Sequence, residues 1–106
     1  MKNKVPLTGI SSVALHAAGH KNAEDAHLTP IFATSTFTFD TANEGMERFA
    51  SKDKTRVYSR WGNPTFTAAE KTIEALEAFG LKDKTRAPLE LRALLHSSGQ
   101  AAMTTL

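Results

Sequence analysis

The amino-acid sequence predicts an α/β fold, because an amphipathic helix, a short apolar strand and the start of another helix follow one another in its C-terminal half. Between residues 64 and 79, apolar side chains recur every three or four positions, which is the spacing of one helix face. Residues 89–96 form a short apolar run bounded by turn residues, as expected of a buried strand. A strand that leads into a helix normally packs against further parallel strands, so this order predicts the beginning of a larger α/β domain.

Composition and charge exclude several classes of function. The chain has 106 residues, and its 13 basic and 11 acidic side chains leave a formal net charge of +2. It therefore lacks the clustered positive charge that nucleic-acid binding requires, and its apolar stretches are far shorter than the roughly 18 residues of a membrane-spanning helix. The absence of cysteine fits a reducing compartment, so we expect a cytoplasmic protein that binds neither nucleic acid nor membrane.

Residues 1–63 are predicted to form an extended arm. Glycines and prolines recur through this part of the chain, and little hydrophobic periodicity is sustained. One short helix is predicted over 43–50, where Met46, Phe49 and Ala50 share a face.

Residues 64–106 are predicted to contain two helices with a strand between them. Pro64 suits the first turn of the first helix, and Gly80 supplies its C-terminal stop. A charged loop follows, and its string Lys-Asp-Lys-Thr-Arg at 82–86 repeats the one at 52–56. Because the flanking residues differ, we interpret the two copies as solvated loops and not as a structural repeat.

Four side chains near the N-terminus have the composition of a metal site. His16 and His20 are four residues apart, with Asp25 and His27 nearby, and on a helix that spacing could bind zinc. Gly19 lies between the first two, however, and no capping signal begins a helix there. We therefore interpret them as ordinary surface or interface histidines and predict no metal site.

The turn Ser97-Ser98-Gly99-Gln100, between the predicted strand and the last helix, is a candidate anion site. The first backbone N–H groups of a helix have no internal partner and carry partial positive charge. Gly99 would let an anion approach them closely. A structural cap is the alternative, and it is the more frequent function of serine and glycine at such a turn.

A second candidate lies immediately before the first predicted helix, at Tyr58 and Arg60. Residues two apart in an extended segment point to the same side. A phenol and a guanidinium on one side form a suitable pair of donors for a phosphate dianion. An exposed arginine beside a packed tyrosine is the ordinary alternative.

Four strings carry a pattern that extends along the chain: Leu15-His16-Ala17, Pro30-Ile31-x-x-Thr34-Ser35-Thr36-Phe37, Tyr58-Ser59-Arg60-x-Gly62-Asn63-Pro64-Thr65 and Ser97-Ser98-Gly99-x-Ala101-Ala102. Together they resemble the start of the Cys/Met-metabolism enzymes, the pyridoxal phosphate enzymes of trans-sulfuration. That family includes cystathionine γ-synthase, cystathionine lyases, methionine γ-lyase and homoserine-ester sulfhydrylases. The resemblance covers nearly all of residues 13–106, in the family's order, and the string that begins at Tyr58 is highly specific.

The resemblance implies an incomplete subunit of the aspartate aminotransferase-like fold, fold type I. Residues 1–63 would be the arm that contacts a neighbouring subunit of a homodimer or homotetramer, and 64–106 the first helix and strand-turn-helix of the large cofactor domain. Tyr58 and Arg60 would reach the cofactor phosphate of the neighbouring subunit. Gly99 and Gln100 would bind the phosphate of their own subunit through backbone N–H groups, although the family usually has Met at the position of Gln100.

The resemblance also implies that the catalytic residues lie outside this sequence. Pyridoxal chemistry needs a lysine that forms a Schiff base and an acidic partner for the pyridine nitrogen. All eight lysines precede Gly99, whereas the family's lysine lies far downstream of the corresponding turn. We therefore expect an N-terminal fragment of an enzyme that acts on an amino-acid substrate, inactive alone. The alternative is a non-catalytic partner or relic that docks on intact subunits or is completed by a second polypeptide.

Overall fold

The computed structural model describes residues 7–19, 25–52, 54–83, 85 and 87–106. Within these ranges the β pairing consists of two isolated antiparallel bridges, Thr36 with Tyr58 and Lys82 with Pro88. No helix in the described ranges is long and apolar enough to cross a membrane. The helices there are α1 (Ile10–His16), α2 (Ala42–Ala50), α3 (Pro64–Glu77) and α4 (Gly99–Thr105).

The chain divides into two compact units. Unit 1 comprises Met1–Gly19 and Ala69–Leu106, and unit 2 comprises His20–Ala68. One boundary between the units, at Ala68 and Ala69, thus lies within α3. The apolar core is small in both, since Val13 in unit 1 and Val57 in unit 2 are the buried hydrophobic side chains of the described residues.

The three predicted helices form close to their expected limits, and their caps explain why. The Thr41 hydroxyl accepts a hydrogen bond from the Glu44 N–H (3.1 Å), and the Glu44 carboxylate accepts one from the Asp40 N–H (2.8 Å), which together fix the start of α2. The Asp40 N–H bond is also the main cause that lowers the pKa of Glu44. Gly80, with φ of +74°, follows α3 in the left-handed conformation that ends helices.

Helix α1 was not predicted, because its sequence carries no strong helix signal. Its N-cap is Gly9, which makes no side-chain cap hydrogen bond, and Val13 is its one buried residue. A short helix with no side-chain cap depends mainly on packing, so the local pattern does not reveal α1.

The predicted strand at 89–96 is not formed in the described chain, and the α/β architecture is therefore not confirmed. Instead of pairing with another strand, the segment donates the Ala93 N–H to Glu74 Oε1 (3.0 Å) and the Leu95 N–H to Glu70 Oε1 (3.1 Å). These carboxylates lie one helical turn apart on α3, and alternate N–H groups of an extended segment point to one side. Two glutamates thus provide acceptors where a sheet would provide carbonyl groups.

The charged loop after α3 is organised by Asp83. Its Oδ1 accepts hydrogen bonds from the Thr85 N–H (2.7 Å), the Thr85 hydroxyl (2.6 Å) and the Ala87 N–H (3.0 Å). The Asp83 N–H in turn donates to the Ala87 carbonyl (2.9 Å). The bond from the Thr85 hydroxyl is the main cause that lowers the pKa of Asp83 below its ordinary value.

This loop is expected to open in acid, because a carboxylate with a lowered pKa stabilises the folded form only while it is ionised. The contribution is complete above the ordinary pKa of 3.8 and is lost as the pH falls through the lowered value. NMR chemical shifts of the Thr85 and Ala87 amides should follow that loss. In the matched Asp83→Asn variant the acceptor oxygen remains but no longer titrates, so the same shifts should stay constant. Equal pH dependence in both proteins would contradict the assignment.

Candidate functional site

Two of the sequence strings that carry the family resemblance pair with each other in unit 2. The Ser59 N–H donates to the Ser35 carbonyl (2.8 Å), and the Phe37 N–H donates to the Val57 carbonyl (3.3 Å). The Ser59 hydroxyl also donates to the Thr34 carbonyl. This short antiparallel pairing holds the backbone on both sides of Tyr58.

Tyr58 and Arg60 lie side by side, as the sequence predicts. Arg60 Nη2 donates to the Tyr58 hydroxyl (3.0 Å), and the guanidinium carbon lies 5.2 Å from the centre of the Tyr58 ring. Because its oxygen accepts from Arg60, the phenol keeps its own O–H free to donate elsewhere. The pair thus presents a hydroxyl and a guanidinium together, and the exposed Arg60 faces solvent.

Tyr58 and Arg60 lie within a tight turn, and not in the extended segment that the sequence predicts, and this turn favours glycine at position 62. The N–H groups of Trp61 and Gly62 both donate to the Tyr58 carbonyl, at 2.8 and 3.2 Å. A Cβ at Gly62 would lie 3.1 Å from the Thr55 Cα and 3.2 Å from its nitrogen, so any side chain would force the backbone to shift. The turn brings the chain directly to the start of α3.

Asn63 is the buried polar residue at the centre of this arrangement, with 3% of its surface exposed. Its amide nitrogen donates to the Phe32 carbonyl (3.0 Å) and to the Ser59 hydroxyl (3.2 Å), and its Oδ1 accepts from the Thr65 N–H (2.9 Å). The sequence interpretation of Asn63 as a helix cap is therefore confirmed. The same side chain also ties the segment before it to the segment at Phe32.

Thr65 completes the connection between the two strings. Its hydroxyl donates to the Pro30 carbonyl (3.1 Å) and accepts from the Phe32 N–H (2.9 Å). Sequence reasoning missed this function of Thr65 and the bonds of Ser59, because both join residues more than 20 positions apart. The sequence signal that could have revealed these contacts was the occurrence of both strings in one family pattern.

A row of aromatic rings extends from Tyr58 to α2. The Trp61 ring lies edge-on to the Tyr58 ring, with centroids 6.1 Å apart, and edge-on to the Phe49 ring at 5.8 Å. Phe49 also contacts Phe39 at 6.0 Å, and the Arg48 guanidinium lies 5.4 Å from the Phe39 ring centre. These contacts connect the Tyr58 side chain to a capped helix.

The second predicted site, in unit 1, has the geometry of a capped helix start. The Ser98 hydroxyl accepts from the Ala101 N–H (3.2 Å), and its carbonyl accepts from the Ala102 N–H (3.1 Å). A Cβ built at Gly99 would meet no heavy atom within 4 Å outside its immediate neighbours and its own helix. The space beside Gly99 is therefore open, and Gln100 lies on the exposed first turn.

The histidine spacing of the N-terminal part forms no metal site in the described residues. His16 ends α1, while His20 lies outside the described residues. Among the residues that the structure describes, no three histidine, aspartate or glutamate side chains come together in a way that could hold a metal ion.

Comparison with known proteins assigns the family. Residues 11–106 match the model of the Cys/Met metabolism PLP-dependent enzymes. The chain belongs to this family. Its cofactor is pyridoxal 5'-phosphate, and its members have fold type I.

Similar proteins include enzymes with three different names. An L-methionine gamma-lyase of Treponema denticola is 45% identical over 76 residues, which cover 72% of this chain and 19% of the lyase. An O-acetyl-L-homoserine sulfhydrylase of Corynebacterium glutamicum is 36% identical over 97 residues, 91% of this chain and 20% of that protein. A homocysteine/cysteine synthase of Saccharomyces cerevisiae is 35% identical over 96 residues, 88% of this chain and 19% of that enzyme. The chain thus spans about a fifth of the length of these relatives.

The described residues fit the phosphate of the family's cofactor. Tyr58 and Arg60 offer two adjacent donors, and charge-assisted hydrogen bonds of this kind are the strong ones. At Gly99 the absent side chain leaves open a space that any Cβ would enter. Neither site contains a lysine.

Asn63→Ala is expected to destabilise the chain by about 1–3 kcal/mol, because it leaves half-buried partners at Phe32 and Thr65 without their hydrogen bonds. Urea denaturation measures the loss, and hydrogen exchange of the Thr65 amide should accelerate. Asn43→Ala, at an exposed position of α2, is the matched control. It should change neither the free energy of unfolding nor the exchange rate of the Thr65 amide. Identical unfolding midpoints for the two variants would show that the Asn63 network is dispensable.

Proposed function

We propose that the 106 residues form the N-terminal part of a pyridoxal phosphate enzyme subunit with an α/β large domain. The enzyme would eliminate or replace the γ-substituent of an amino acid such as cystathionine, methionine or an O-acylhomoserine. The observation that carries the proposal is the joint structure of the two strings, in which Asn63 and Thr65 hold the segment at Phe32 against the Tyr58–Arg60 turn. The relatives include methionine gamma-lyases and homoserine sulfhydrylases, so the proposal covers both elimination and replacement.

Tyr58 and Arg60 would bind the cofactor phosphate of a neighbouring subunit in a homodimer or homotetramer. Support comes from their shared side, from the phenol O–H that remains available, and from the exposure of the guanidinium. In a site closed to water, each of these donors would form a short bond to a phosphate oxygen. The pair would thereby fix the position of the cofactor without touching its reactive ring.

Gly99 and Gln100 would bind the phosphate of their own subunit through backbone N–H groups. The open space beside Gly99 and the capped start of α4 support this function. Gln100 in place of the family's usual methionine leaves a backbone donor intact. In unit 1, Glu70 and Glu74 would hold the 89–96 segment in position ahead of this turn, where the family's large domain has a strand.

When bound, pyridoxal phosphate supplies an electron sink for chemistry on the amino-acid substrate. The residues described above would retain and orient it, and the residues that form the covalent link and protonate its ring would come from other parts of the subunit. A cytoplasmic location remains a prediction from composition.

The alternative is a non-catalytic partner or relic that docks on intact subunits or is completed by a second polypeptide. Reading the coding sequence beyond the codon of Leu106 distinguishes the two. An in-frame continuation with the family's Ser-x-Thr-Lys string supports the enzyme, and its absence supports the partner.

The purified 106-residue chain is expected to show no γ-elimination from methionine, cystathionine or O-acetylhomoserine, with or without added pyridoxal phosphate. The reason is that all eight lysines precede Gly99 and none occupies the position of the cofactor-binding lysine. Steady-state assays of α-keto acid formation test this expectation, and the rate with free pyridoxal phosphate alone is the background. Turnover above that background, abolished by substitution of one lysine, would disprove the expectation.

The cross-subunit function is tested in the complete subunit, assembled with its own continuation or that of a related enzyme. Arg60→Ala should weaken cofactor retention by about 1.5–3 kcal/mol, because it removes a charge-assisted hydrogen bond. Gly99→Val should be at least as harmful, because a branched side chain would fill the open space at the helix start. Arg92→Ala, which removes another exposed arginine, is the control and should retain cofactor.

Mixing the Arg60→Ala and Gly99→Val subunits should then restore cofactor binding at half of the sites in each heterodimer. One site receives both lesions, and the other receives Gly99 from one chain and Arg60 from its partner. Absorbance of bound cofactor measures the recovery, after subunit exchange has been verified by mass. No recovery would place both residues in the site of one chain.

A further inference from the structure

We infer that Trp61 is a positioning residue, which holds the Tyr58 side chain in the orientation that presents its phenol. The inference rests on the proposed phosphate function of Tyr58 and extends it to a residue that the family string leaves open. Trp61 is 57% exposed, so it contributes little to a core. Its ring nevertheless makes defined edge-on contacts with Tyr58 and Phe49, which accounts for a large apolar side chain at this surface position.

The Tyr58 side chain needs such support because its other partner is not rigid. The backbone pairing at Ser35 and Ser59 fixes the Tyr58 main chain but leaves its side-chain torsions free. Arg60 contacts the hydroxyl, yet its own side chain is exposed and long. A hydrogen bond from the phenol requires both a short distance and a defined direction, so a mobile ring would lose most of it.

Trp61 can provide that support because it is itself held from the other side. Its ring lies perpendicular to Phe49, at an interplanar angle of 87°, and Phe49 is carried by α2. That helix is fixed by the Thr41 cap and by the ion pair between Glu44 and Arg48. A continuous series of contacts therefore runs from a capped helix through Trp61 to the Tyr58 ring.

The composition allows a direct test, because Tyr58 and Trp61 are the sole tyrosine and the sole tryptophan of the chain. In the 106-residue chain, NMR couplings about the Tyr58 Cα–Cβ bond report its rotamer, and its ring resonances report binding of inorganic phosphate. Trp61→Ala should average the Tyr58 rotamers and weaken phosphate binding about two- to tenfold, the effect of losing an aromatic pair. Trp61→Phe keeps a ring edge and should retain a single rotamer.

Phe66→Ala is the matched control, since Phe66 is a similarly exposed aromatic residue of the same unit, at 52%, and should leave Tyr58 unchanged. A fixed Tyr58 rotamer in Trp61→Ala would overturn the inference. If that variant does not fold, Trp61→Leu decides, because it keeps apolar volume without a ring: averaged rotamers support the inference and a single rotamer overturns it.

Phosphate binding separates this inference from the proposed function. If the parent chain and Arg60→Ala bind phosphate equally, the phosphate function of the pair fails, and the Tyr58 rotamer still decides the effect of Trp61. If Arg60→Ala abolishes binding while Trp61→Ala changes neither rotamer nor affinity, the phosphate function stands and the positioning function is overturned.

Discussion

The buried amide of Asn63 is the interaction on which the rest of unit 2 depends. Three of its hydrogen bonds join Phe32, Ser59 and Thr65, so one side chain connects the arm, the turn and the start of α3. An amide can do this because it combines two donors with an acceptor, and its near-complete burial strengthens each bond. In a chain with little apolar core, such a polar network replaces hydrophobic packing as the source of a defined local structure.

The direction of Tyr58 and Arg60 follows from that constraint. Asn63 and Gly62 fix the turn, the turn fixes which side the two residues share, and the aromatic row contacts the ring of Tyr58. Each step reduces the conformational freedom of donors that would otherwise have to be ordered when a ligand binds. Preorganisation of this kind raises affinity because the entropic cost is met during folding. Such preorganisation would allow two exposed or half-exposed side chains to serve as the proposed phosphate site.

The sequence predicted the helices and side-chain placements that depend on neighbouring residues. It missed the contacts between residues that are far apart along the chain. Helices α2 and α3 were predicted from their apolar spacing, and the caps that the structure shows at Thr41 and Ser98 are equally local. The side-by-side placement of Tyr58 and Arg60 was equally local. By contrast, α1 has no side-chain cap, and the bonds of Thr65 to Pro30 and Phe32 span more than 30 residues. No periodicity encodes contacts of that range.

The segment at 89–96 shows that a local pattern can also predict an element that does not form in the described chain. Its apolar pattern is that of a strand, but a strand exists only with a neighbour that accepts its N–H groups. In the described chain those acceptors are the carboxylates of Glu70 and Glu74, which can satisfy one edge of an extended segment but cannot continue a sheet. The carboxylate pair on α3 therefore satisfies the Ala93 and Leu95 amides without a partner strand. The apolar pattern therefore shows that the segment can form a strand, and the presence of a neighbouring strand decides whether it does.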